Sequence, residues 1–263
     1  MPPKRIPLRA LLKDLYPEKT RDQLFAHILC GDVKVDGETL KAPAGMVDPG
    51  SEIVISPKRF VSRGGFKLSG ALEAWKIDVS GLVLVDMGSS TGGFTDALLQ
   101  SGATFVHAVD VGKNQLCYAL RTDSRVKVHE ETNLFEVKSL DPHPQAAVAD
   151  LSFRSLRGAA KHILTLTSQK WMIALIKPQF ELSELQKVNF EGVLKNEKLT
   201  AQVVFEVLED LKDEGVFIHK LFPSTMRGRK GNQEYLAYLS TDFIEEPDCE
   251  YFRGLKRCLQ AER

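Results

Sequence analysis

The residues with the clearest chemical meaning lie in LVLVDMGSSTGGF, residues 82–94, where an apolar strand ends in a glycine-rich turn. Such a turn lets a cofactor approach the backbone closely, and the following helix presents oriented N–H groups. Gly88, Gly92 and Gly93 could serve that purpose. Asp110 ends the next apolar run, about 20 residues after Gly88, where an acid would hold ribose hydroxyls. The turn and the acid together predict a site for a nucleotide-type cofactor.

Two cofactors fit this pattern, a nicotinamide dinucleotide and S-adenosylmethionine. The spacing GSSTGG differs from the GxGxxG of dinucleotide-binding turns, and VADLSF places Asp150 at a strand end where a methyltransferase holds donor and acceptor. These features favour the methyl donor. The same strand end has neither an NPPY-type tetrapeptide for an exocyclic amine nor a cysteine for a covalent pyrimidine adduct. An oxygen atom is therefore the expected methyl acceptor.

A group of charged residues is expected beside this cofactor site. Lys177 ends an apolar run in IALIKPQFE, and a buried lysine needs a carboxylate partner, which Asp150 could supply. Glu234 follows the loop GRKGN, and Lys67 lies in the first turn of a helix predicted after residues 63–65. Considered singly, Lys177 could form only a salt bridge at the rim, and Lys67 could simply face solvent. Together the four residues predict a Lys-Asp-Lys-Glu cluster.

Alternating strands and helices must position these residues. Strands are predicted at 82–86, 104–109, 126–128, 146–150, 172–177, 216–221 and 234–239, and helices at 95–100, 115–121, 156–164 and 197–213. This alternation predicts an α/β fold with a doubly wound, Rossmann-like sheet. Open sheets of this kind bind ligands at the carboxyl ends of their strands. Gly88, Asp110 and Lys177 would therefore share one rim.

The first 56 residues predict a separate small α+β unit. The segment TRDQLFAHILCG forms an amphipathic helix that begins after Thr20 and ends at Gly31, and VKVDGE and EIVIS are typical of short strands. Residues 57–62 are predicted to be a linker and residues 63–244 the main domain. Residues 245–263 form a C-terminal tail without a clear pattern.

Composition narrows the class of protein. The chain has 35 basic and 35 acidic residues, and a net charge of zero argues against indiscriminate nucleic-acid binding. Residues 1–67 hold 12 Lys or Arg against 8 Asp or Glu, a small excess that is compatible with an RNA-docking module. The four cysteines are widely separated, which predicts reduced thiols and no metal site. The sequence shows neither a membrane span nor a signal segment, so a cytoplasmic protein is expected.

The N-terminal unit resembles the small RNA-binding domain of the ribosomal protein S-four type. That pattern has an arginine near the start of a helix, a glycine stop and a strand that ends in an NG or DG turn. The matching residues are Arg21, Gly31, Val33, Val35 and Gly37. The resemblance implies that the candidate phosphate contacts are Arg9, Lys13, Arg21, Lys34 and Lys41. The alternative is an unrelated small α+β module with a solvated basic surface.

The motifs DMGSSTGGF, AVDVG, ADLSF, IKPQFE and GNQEYL, in that order and with the Lys-Asp-Lys-Glu cluster, resemble the FtsJ-like ribose 2'-O-methyltransferases. They are more closely similar to the TlyA family, also called hemolysin A. The similarity runs from about residue 5 to residue 239, because that family also begins with an S-four-type domain. The stretch 181–192 departs from the family pattern, since it lacks a short basic-glycine run. The loop on the substrate side is therefore expected to differ in shape.

The resemblance implies methylation of cytidine riboses in small- and large-subunit ribosomal RNA, with S-adenosylmethionine as donor. Lys177 would position or deprotonate the 2'-hydroxyl, and Asp150, Lys67 and Glu234 would orient this lysine and tune its pKa. The implied donor pocket consists of Asp86, Gly88, Ser89, Thr91, Gly92, Gly93, Phe94, Asp110, Val111, Asn133 and Asp150. The basic residues expected to contact RNA near the active site are Arg63, Arg227, Arg229 and Lys230.

Two other functions remain open on the sequence alone. The name hemolysin A suggests a membrane-damaging cytolysin, although the chain has neither an export signal nor a long amphipathic span. A non-catalytic RNA-binding assembly factor could have kept the same fold, but the intact motifs argue against it. The oligomeric state is not indicated.

Overall fold

The computed structural model describes residues 5–56, 59–187, 190–244 and 253–254. Most of the predicted tail, 245–263, lies outside these residues. The helices are α1 (Leu8–Leu15), α2 (Arg21–Cys30), α3 (Arg63–Trp75), α4 (Gly93–Gln100), α5 (Tyr118–Arg121), α6 (Ala159–Thr165), α7 (Pro178–Glu181), α8 (Glu184–Lys187) and α9 (Glu197–Asp213). The strands are β1 (Ile6–Pro7), β2 (Val33–Val35), β3 (Glu38–Thr39), β4 (Met46–Val47), β5 (Ile53–Ile55), β6 (Val83–Met87), β7 (Phe105–Val109), β8 (Val126–His129), β9 (Ala146–Ala149), β10 (Trp171–Ile176), β11 (Phe217–Pro223) and β12 (Tyr235–Ser240).

The N-terminal unit folds around helices α1 and α2. Thr20 and Gln23 form a reciprocal capping box at the start of α2, and Gly31 ends that helix in the left-handed conformation. The two helices and strand β2 share an apolar core that includes Leu8, Leu12 and Ile28. Strands β3, β2 and β5 form a three-stranded antiparallel sheet beside it.

The large unit is built on one seven-stranded sheet with the strand order β11-β12-β10-β9-β6-β7-β8. Strands β10, β9, β6, β7 and β8 pair in parallel. The last strand, β12, runs antiparallel to both β10 and β11. The prediction of a mostly parallel Rossmann-like sheet with an antiparallel last strand is confirmed.

Apolar layers cover both faces of this sheet. One layer contains side chains from α3 and α4, and the other contains side chains from α6 and α9. The buried stripe of α9 includes Val203, Val207 and Leu211, at the spacing expected for one helix face. A sheet buried on both faces leaves its strand ends as the place for polar chemistry.

The connection from β6 fixes where the site must lie. The chain leaves β6 toward β7 and β8 on one side and later returns through β9 and β10 on the other. The strand order therefore reverses between β6 and β9, and crevices that bind ligands open at such points beyond the carboxyl ends of the strands. Gly88 follows β6 and Asp150 follows β9, so both residues border this crevice.

The two units meet where α2 contacts α5. Cys30, at the end of α2, forms a disulfide with Cys117, and their Cα atoms are 6.1 Å apart. The rings of Phe25 and Tyr118 pack edge to face beside this bond, with centroids 5.4 Å apart. The prediction that all four cysteines are reduced thiols is wrong for this pair. A sequence separation of 87 residues gave no sign that the fold brings them together.

The described part of the chain has neither a membrane-spanning helix nor a cluster of potential metal ligands. None of its helices is long and apolar enough to cross a membrane. Within the same residues, no group of three or more His, Cys, Asp or Glu side chains could hold a metal ion.

Candidate active site

The glycine turn after β6 packs tightly against its protein neighbours. A Cβ atom on Gly88 would lie 2.8 Å from the Asp150 carbonyl oxygen, and one on Gly92 would collide with the Leu120 side chain. A Cβ on Gly93 would collide with Ser62, where the start of α3 approaches the start of α4. The glycines therefore allow β6, β9 and α3 to approach one another. Gly88 and Gly92 also have positive φ angles of 82° and 93°, which favour glycine.

The other predicted donor-pocket residues of this turn differ in exposure. Ser89 and Phe94 are buried, and a Cβ atom on Gly64 of α3 would lie 3.4 Å from the Phe94 ring. Thr91 is exposed at the tip of the turn. Phe94 therefore supports the helix pair, whereas Thr91 remains accessible from outside.

Asp86 is a fully buried carboxylate beneath this turn. Its Oδ2 atom accepts hydrogen bonds from the backbone N–H and the hydroxyl of Thr95, at 2.9 and 2.7 Å. Its Oδ1 atom is buried without a hydrogen-bond partner. Burial raises the pKa of Asp86 to about 7, although the Thr95 hydrogen bonds lower it; the nearby Asp150 and Asp110 carboxylates raise it further. The unpartnered oxygen suits a cationic or hydrogen-bonding ligand.

Asp110 lies beyond the end of β7, beside the same crevice. Its two carboxylate oxygens accept hydrogen bonds from the backbone N–H groups of Ser90 and Gly112, at 2.8 and 2.6 Å. Each oxygen has a further lone pair that could accept from a ribose hydroxyl. The next residue, Val111, is 71% exposed, so an apolar side chain is presented at the mouth of the crevice.

Glu130 holds the loop that borders this side of the crevice, and sequence reasoning missed it. Its carboxylate accepts from the backbone N–H groups of residues 114–116 and from the Arg121 guanidinium. Burial alone would raise the pKa of Glu130, but these hydrogen bonds outweigh it and lower the pKa to about 2. The four bonds also explain why α5 begins only at residue 118, three residues later than predicted.

Asn133 is exposed on the loop after β8. Its side-chain oxygen accepts a hydrogen bond from the Phe135 N–H at 3.2 Å. The Arg154 guanidinium lies over the Phe135 ring, 4.6 Å from its centroid. This loop therefore approaches the segment that follows β9.

Lys177 and Asp150 form the first ion pair of the predicted cluster. The Lys177 Nζ atom lies 2.7 Å from Asp150 Oδ1, although this oxygen has no well-aligned hydrogen-bond donor, so the contact is an ion pair. The same Nζ atom donates a hydrogen bond to the Ser152 hydroxyl at 2.7 Å. Ser152 was not predicted from the sequence. Two fixed contacts leave one ammonium direction for a ligand.

Lys67 and Glu234 form the second ion pair. The Lys67 ammonium donates to Glu234 Oε2, and the two residues are only 9% and 3% exposed. A Cβ atom on Gly228 would collide with the Glu234 carboxylate, so the loop before β12 needs glycine there. The structure thus pairs each lysine of the cluster with one carboxylate.

The register of the sheet brings these pairs to one edge. Ile176 pairs with Tyr235 across β10 and β12, so the preceding Glu234 stands beside the following Lys177. Strand β9 pairs in parallel with β10, which brings Asp150 to the same end. Lys67 reaches this edge from the first turns of α3.

An exposed aromatic ring stands beside Lys177, and it too was missed. Phe153 is 90% exposed and has a positive φ of 60°, which is a strained conformation for this residue. Its ring lies against Phe180 with centroids 5.0 Å apart, and the Lys177 ammonium is 5.9 Å from the Phe180 centroid. Such exposure and strain are uncommon away from functional sites.

Glu181 anchors the segment that carries Phe153. Its buried carboxylate accepts hydrogen bonds from the Ser155 hydroxyl, the Leu156 N–H and the Arg157 guanidinium. Burial raises the pKa of Glu181, against the opposing effect of these three contacts. The KPQFE motif therefore supplies both the lysine and the carboxylate that fixes the neighbouring loop.

The predicted basic residues near the site are all exposed, and two of them are hydrogen-bonded to the backbone of the loop before β12. Arg63 donates a hydrogen bond to the Arg227 carbonyl oxygen, and Arg227 donates to the Gly231 carbonyl oxygen at 3.2 Å. Arg229 and Lys230 are exposed on the same loop. The buried Asn232 ties this loop to residues 192–194, through contacts with the Gly192 oxygen and the Leu194 N–H.

The predicted basic residues of the N-terminal unit also differ. The Lys13 ammonium donates to the carbonyl oxygens of Pro17 and Lys19, both at 2.9 Å, so it closes the turn after α1. The exposed members of the set are Arg9, Arg21, Lys34 and Lys41.

Comparison with known proteins identifies the family. The model of the FtsJ-like methyltransferases matches residues 60–241, the part that contains both ion pairs and the glycine turn. The chain belongs to this family. The FtsJ-like region therefore spans the entire seven-stranded sheet, from the residues before α3 to the end of β12.

Relatives of the FtsJ-like chain extend over the N-terminal unit. The 16S/23S rRNA (cytidine-2'-O)-methyltransferase TlyA of Mycobacterium tuberculosis is 37% identical over 85% of each chain. Hemolysin A of Brachyspira hyodysenteriae is 37% identical over 80% of this chain and 90% of its own length. A solved protein of Streptococcus thermophilus, classed as a possible hemolysin, superimposes with a TM-score of 0.69 at 32% identity and covers 97% of this chain and 94% of its own.

Proposed function

We propose that this FtsJ-like methyltransferase transfers a methyl group from S-adenosylmethionine to the ribose 2'-hydroxyl of cytidine in ribosomal RNA. The observation that carries the proposal is the pairing of Lys177 with Asp150 and of Lys67 with Glu234 at one edge of the sheet. The relative named for 16S/23S rRNA cytidine-2'-O-methylation supports the same substrate. We further propose that the protein acts on ribosomal RNA or ribosomal subunits in the cytoplasm.

The crevice residues fit the proposed donor. S-adenosylmethionine supplies an activated methyl group when bound, and it carries positive charge at its sulfonium and amino groups. Asp86 has a buried carboxylate oxygen without a hydrogen-bond partner, and the positive charge of the donor would stabilise it. Asp110 would accept from the ribose hydroxyls, while Val111 and the loop at Asn133 would border the adenine. The glycine turn with Ser89 and Thr91 would border the rest of the donor.

Lys177 would act on the acceptor. Its Nζ atom would position the 2'-hydroxyl, or accept its proton, as that oxygen attacks the methyl group. Asp150 and Ser152 would keep the nitrogen in place through their present contacts. Lys67 and Glu234 would form the side of the crevice next to Lys177, and their charges would act on the reacting atoms.

The exposed Phe153 ring would receive the base of the target nucleotide. Enzymes that modify single nucleotides draw them out of the helical stack, and aromatic side chains replace the lost stacking. The fixed Glu181 contacts would hold this ring at a constant distance from Lys177. Arg229 and Lys230 would neutralise nearby phosphates, and Arg9, Arg21, Lys34 and Lys41 would do the same farther from the active site.

The test is the Lys177→Ala substitution, with Lys161→Ala as a matched control. Lys161 is an exposed residue of α6 outside the proposed site. Transfer of tritiated methyl groups from labelled S-adenosylmethionine to unmodified ribosomal RNA should be lost in the first variant and kept in the second. Circular dichroism and calorimetric titration with S-adenosylhomocysteine should show that fold and donor binding survive. Undiminished transfer by Lys177→Ala would overturn the catalytic assignment.

A further inference from the structure

The disulfide between the two units lies in a position to influence the donor crevice. Cys30 is the last residue of α2 in the N-terminal unit, and Cys117 is the residue immediately before α5 in the large unit. Both residues are partly exposed. The bond is a covalent connection between the units in addition to the continuous chain.

Cys117 contacts the glycine turn directly. Its backbone N–H donates a hydrogen bond to the Thr91 carbonyl oxygen at 3.2 Å. The side chains of the flanking Leu116 and Leu120 fill the space beside Gly92, where a Cβ atom would collide with them. A displacement of Cys117 would therefore reach the turn at residues 88–93 through the hydrogen bond to Thr91 and the packed side chains of Leu116 and Leu120.

Non-covalent contacts would bring the two sulfurs together each time the two units dock in the reduced protein. The Phe25 and Tyr118 rings pack edge to face next to the bond. Such preorientation raises the effective concentration of one thiol at the other and makes reversible closure favourable. Disulfides in cytoplasmic proteins are usually transient, catalytic or redox-sensing, because glutathione and thioredoxin keep thiols reduced.

We propose that Cys30 and Cys117 form a thiol–disulfide switch that couples the docking of the N-terminal unit to the order of the donor turn. The oxidant is a low-molecular-weight disulfide. One cysteine thiolate attacks this disulfide, forms a mixed disulfide and releases one small thiol. The second cysteine thiolate attacks the mixed disulfide and releases the second small thiol, so the two protein thiols are oxidised and one small disulfide is reduced to two thiols.

The two redox forms then differ in the position of the N-terminal unit and in the packing of the turn at residues 88–93. In the oxidised form the N-terminal unit keeps the orientation seen here, and the turn at residues 88–93 remains packed under α5. In the reduced form the unit can separate from α5, and the turn loses part of its support. The consequence for donor affinity rests on the proposed function, whereas the consequence for backbone protection does not.

The experiment uses the full chain with Cys249→Ser and Cys258→Ser, so that only the pair can form an internal disulfide. Glutathione disulfide oxidises one sample and dithiothreitol reduces the other, and intact mass after blocking of free thiols reports the bond. Hydrogen exchange is followed at residues 88–93 and 113–121, and titration with S-adenosylhomocysteine gives the donor-site affinity. The oxidised form should exchange several-fold more slowly there and bind the probe several-fold more tightly.

Two further variants keep the proposal falsifiable. Cys30→Ser and Cys117→Ala should each behave like the reduced form under both conditions, and their agreement guards against a folding defect in one of them. Failure of glutathione disulfide to form the bond, or equal exchange at 88–93 in bonded and reduced protein, would overturn the switch. If exchange changed but neither form bound S-adenosylhomocysteine, the proposed function would fail while the mechanical coupling stood.

Discussion

Asp86 offers the sharpest test of the electrostatics at the donor crevice. Its pKa rises from an ordinary value of 3.8 to about 7 because the carboxyl is buried. Each pKa unit corresponds to about 1.4 kcal/mol, so ionising Asp86 costs about 4 kcal/mol more in the folded protein than in the unfolded chain. Between these two pKa values the folded state binds the extra proton. The free energy of unfolding should therefore fall as pH rises from 3.8 toward 7 and level off above it.

The Asp86→Asn substitution should remove this dependence. The asparagine side-chain oxygen can still accept hydrogen bonds from the Thr95 N–H and hydroxyl. The NH₂ group, however, takes the place of the unpartnered Oδ1 and would be buried without a partner, which limits the gain in stability. We expect the variant to be about 1–3 kcal/mol more stable than the parent at pH 8 and no more stable at pH 4. Urea unfolding followed by the fluorescence of Trp75 and Trp171, both in the large unit, measures this difference.

Donor binding supplies a second readout of Asp86. A cationic donor stabilises the carboxylate, so binding below pH 7 should release a proton from Asp86. Titrations with S-adenosylmethionine at pH 6, in two buffers of different ionisation enthalpy, should give different apparent enthalpies for the parent and nearly equal ones for Asp86→Asn. If the free energy of unfolding of Asp86→Asn depended on pH as it does in the parent, Asp86 would not be the group with the raised pKa. Proton release by the variant equal to that of the parent would refute the assignment in the same way.

Three further predictions follow from other contacts. Glu234→Gln leaves the Lys67 ammonium buried without its charged partner, which should lower the free energy of unfolding by about 3–5 kcal/mol. The double variant Lys67→Met with Glu234→Leu should recover much of that loss in urea unfolding. It should nevertheless remain inactive. Phe153→Ala should lower kcat/KM for RNA roughly tenfold, since stacking of a base on an aromatic ring contributes about 1–3 kcal/mol. Phe153→Tyr should retain activity, and donor affinity should be equal in all three proteins; a weakened donor affinity would contradict the stacking role. For Glu130, whose pKa of about 2 lies below the ordinary 4.5, stability is present above 4.5 and is lost as pH falls toward 2. Glu130→Gln should therefore lose less stability than the parent in thermal melts as the pH is lowered from 5 to 2. An equal loss of stability in both proteins would exclude this role of Glu130.

The sequence predicted the sheet well because its strands are short apolar runs that end in polar residues. Helix α9 was predicted with its observed bounds, since Asn196 caps it and its apolar stripe is regular. The short α5 was predicted too long, because three backbone hydrogen bonds to Glu130 hold residues 114–116 outside a helix and periodicity carries no trace of such a partner.

The four charged residues of the cluster could be predicted because each stands at the end of an apolar run or beside a glycine pair. The pair of Lys177 with Asp150 was predicted as well. The pair of Lys67 with Glu234 was not, because it depends on how α3 meets the edge of the sheet, which only the assembled fold defines. Ser152 and Phe153 lie in the same ADLSF motif that pointed to Asp150. Their roles were missed because exposure and a positive φ are properties of the folded backbone. The bond between Cys30 and Cys117 was missed for a similar reason, since the approach of two separate units leaves no local pattern.

The position of β12 has a consequence for the order in which the protein can become active during its own synthesis. This strand is the last of the sheet in sequence, yet it lies between β11 and β10. Glu234 immediately precedes it and meets Lys67 across 167 residues of chain. Neither the complete seven-stranded sheet nor the second ion pair can therefore form until residues 234–240 have left the ribosome that makes the chain. An enzyme proposed to modify ribosomal RNA would thus lack its second ion pair, and remain inactive toward that ribosome, until Glu234 has been made and has emerged.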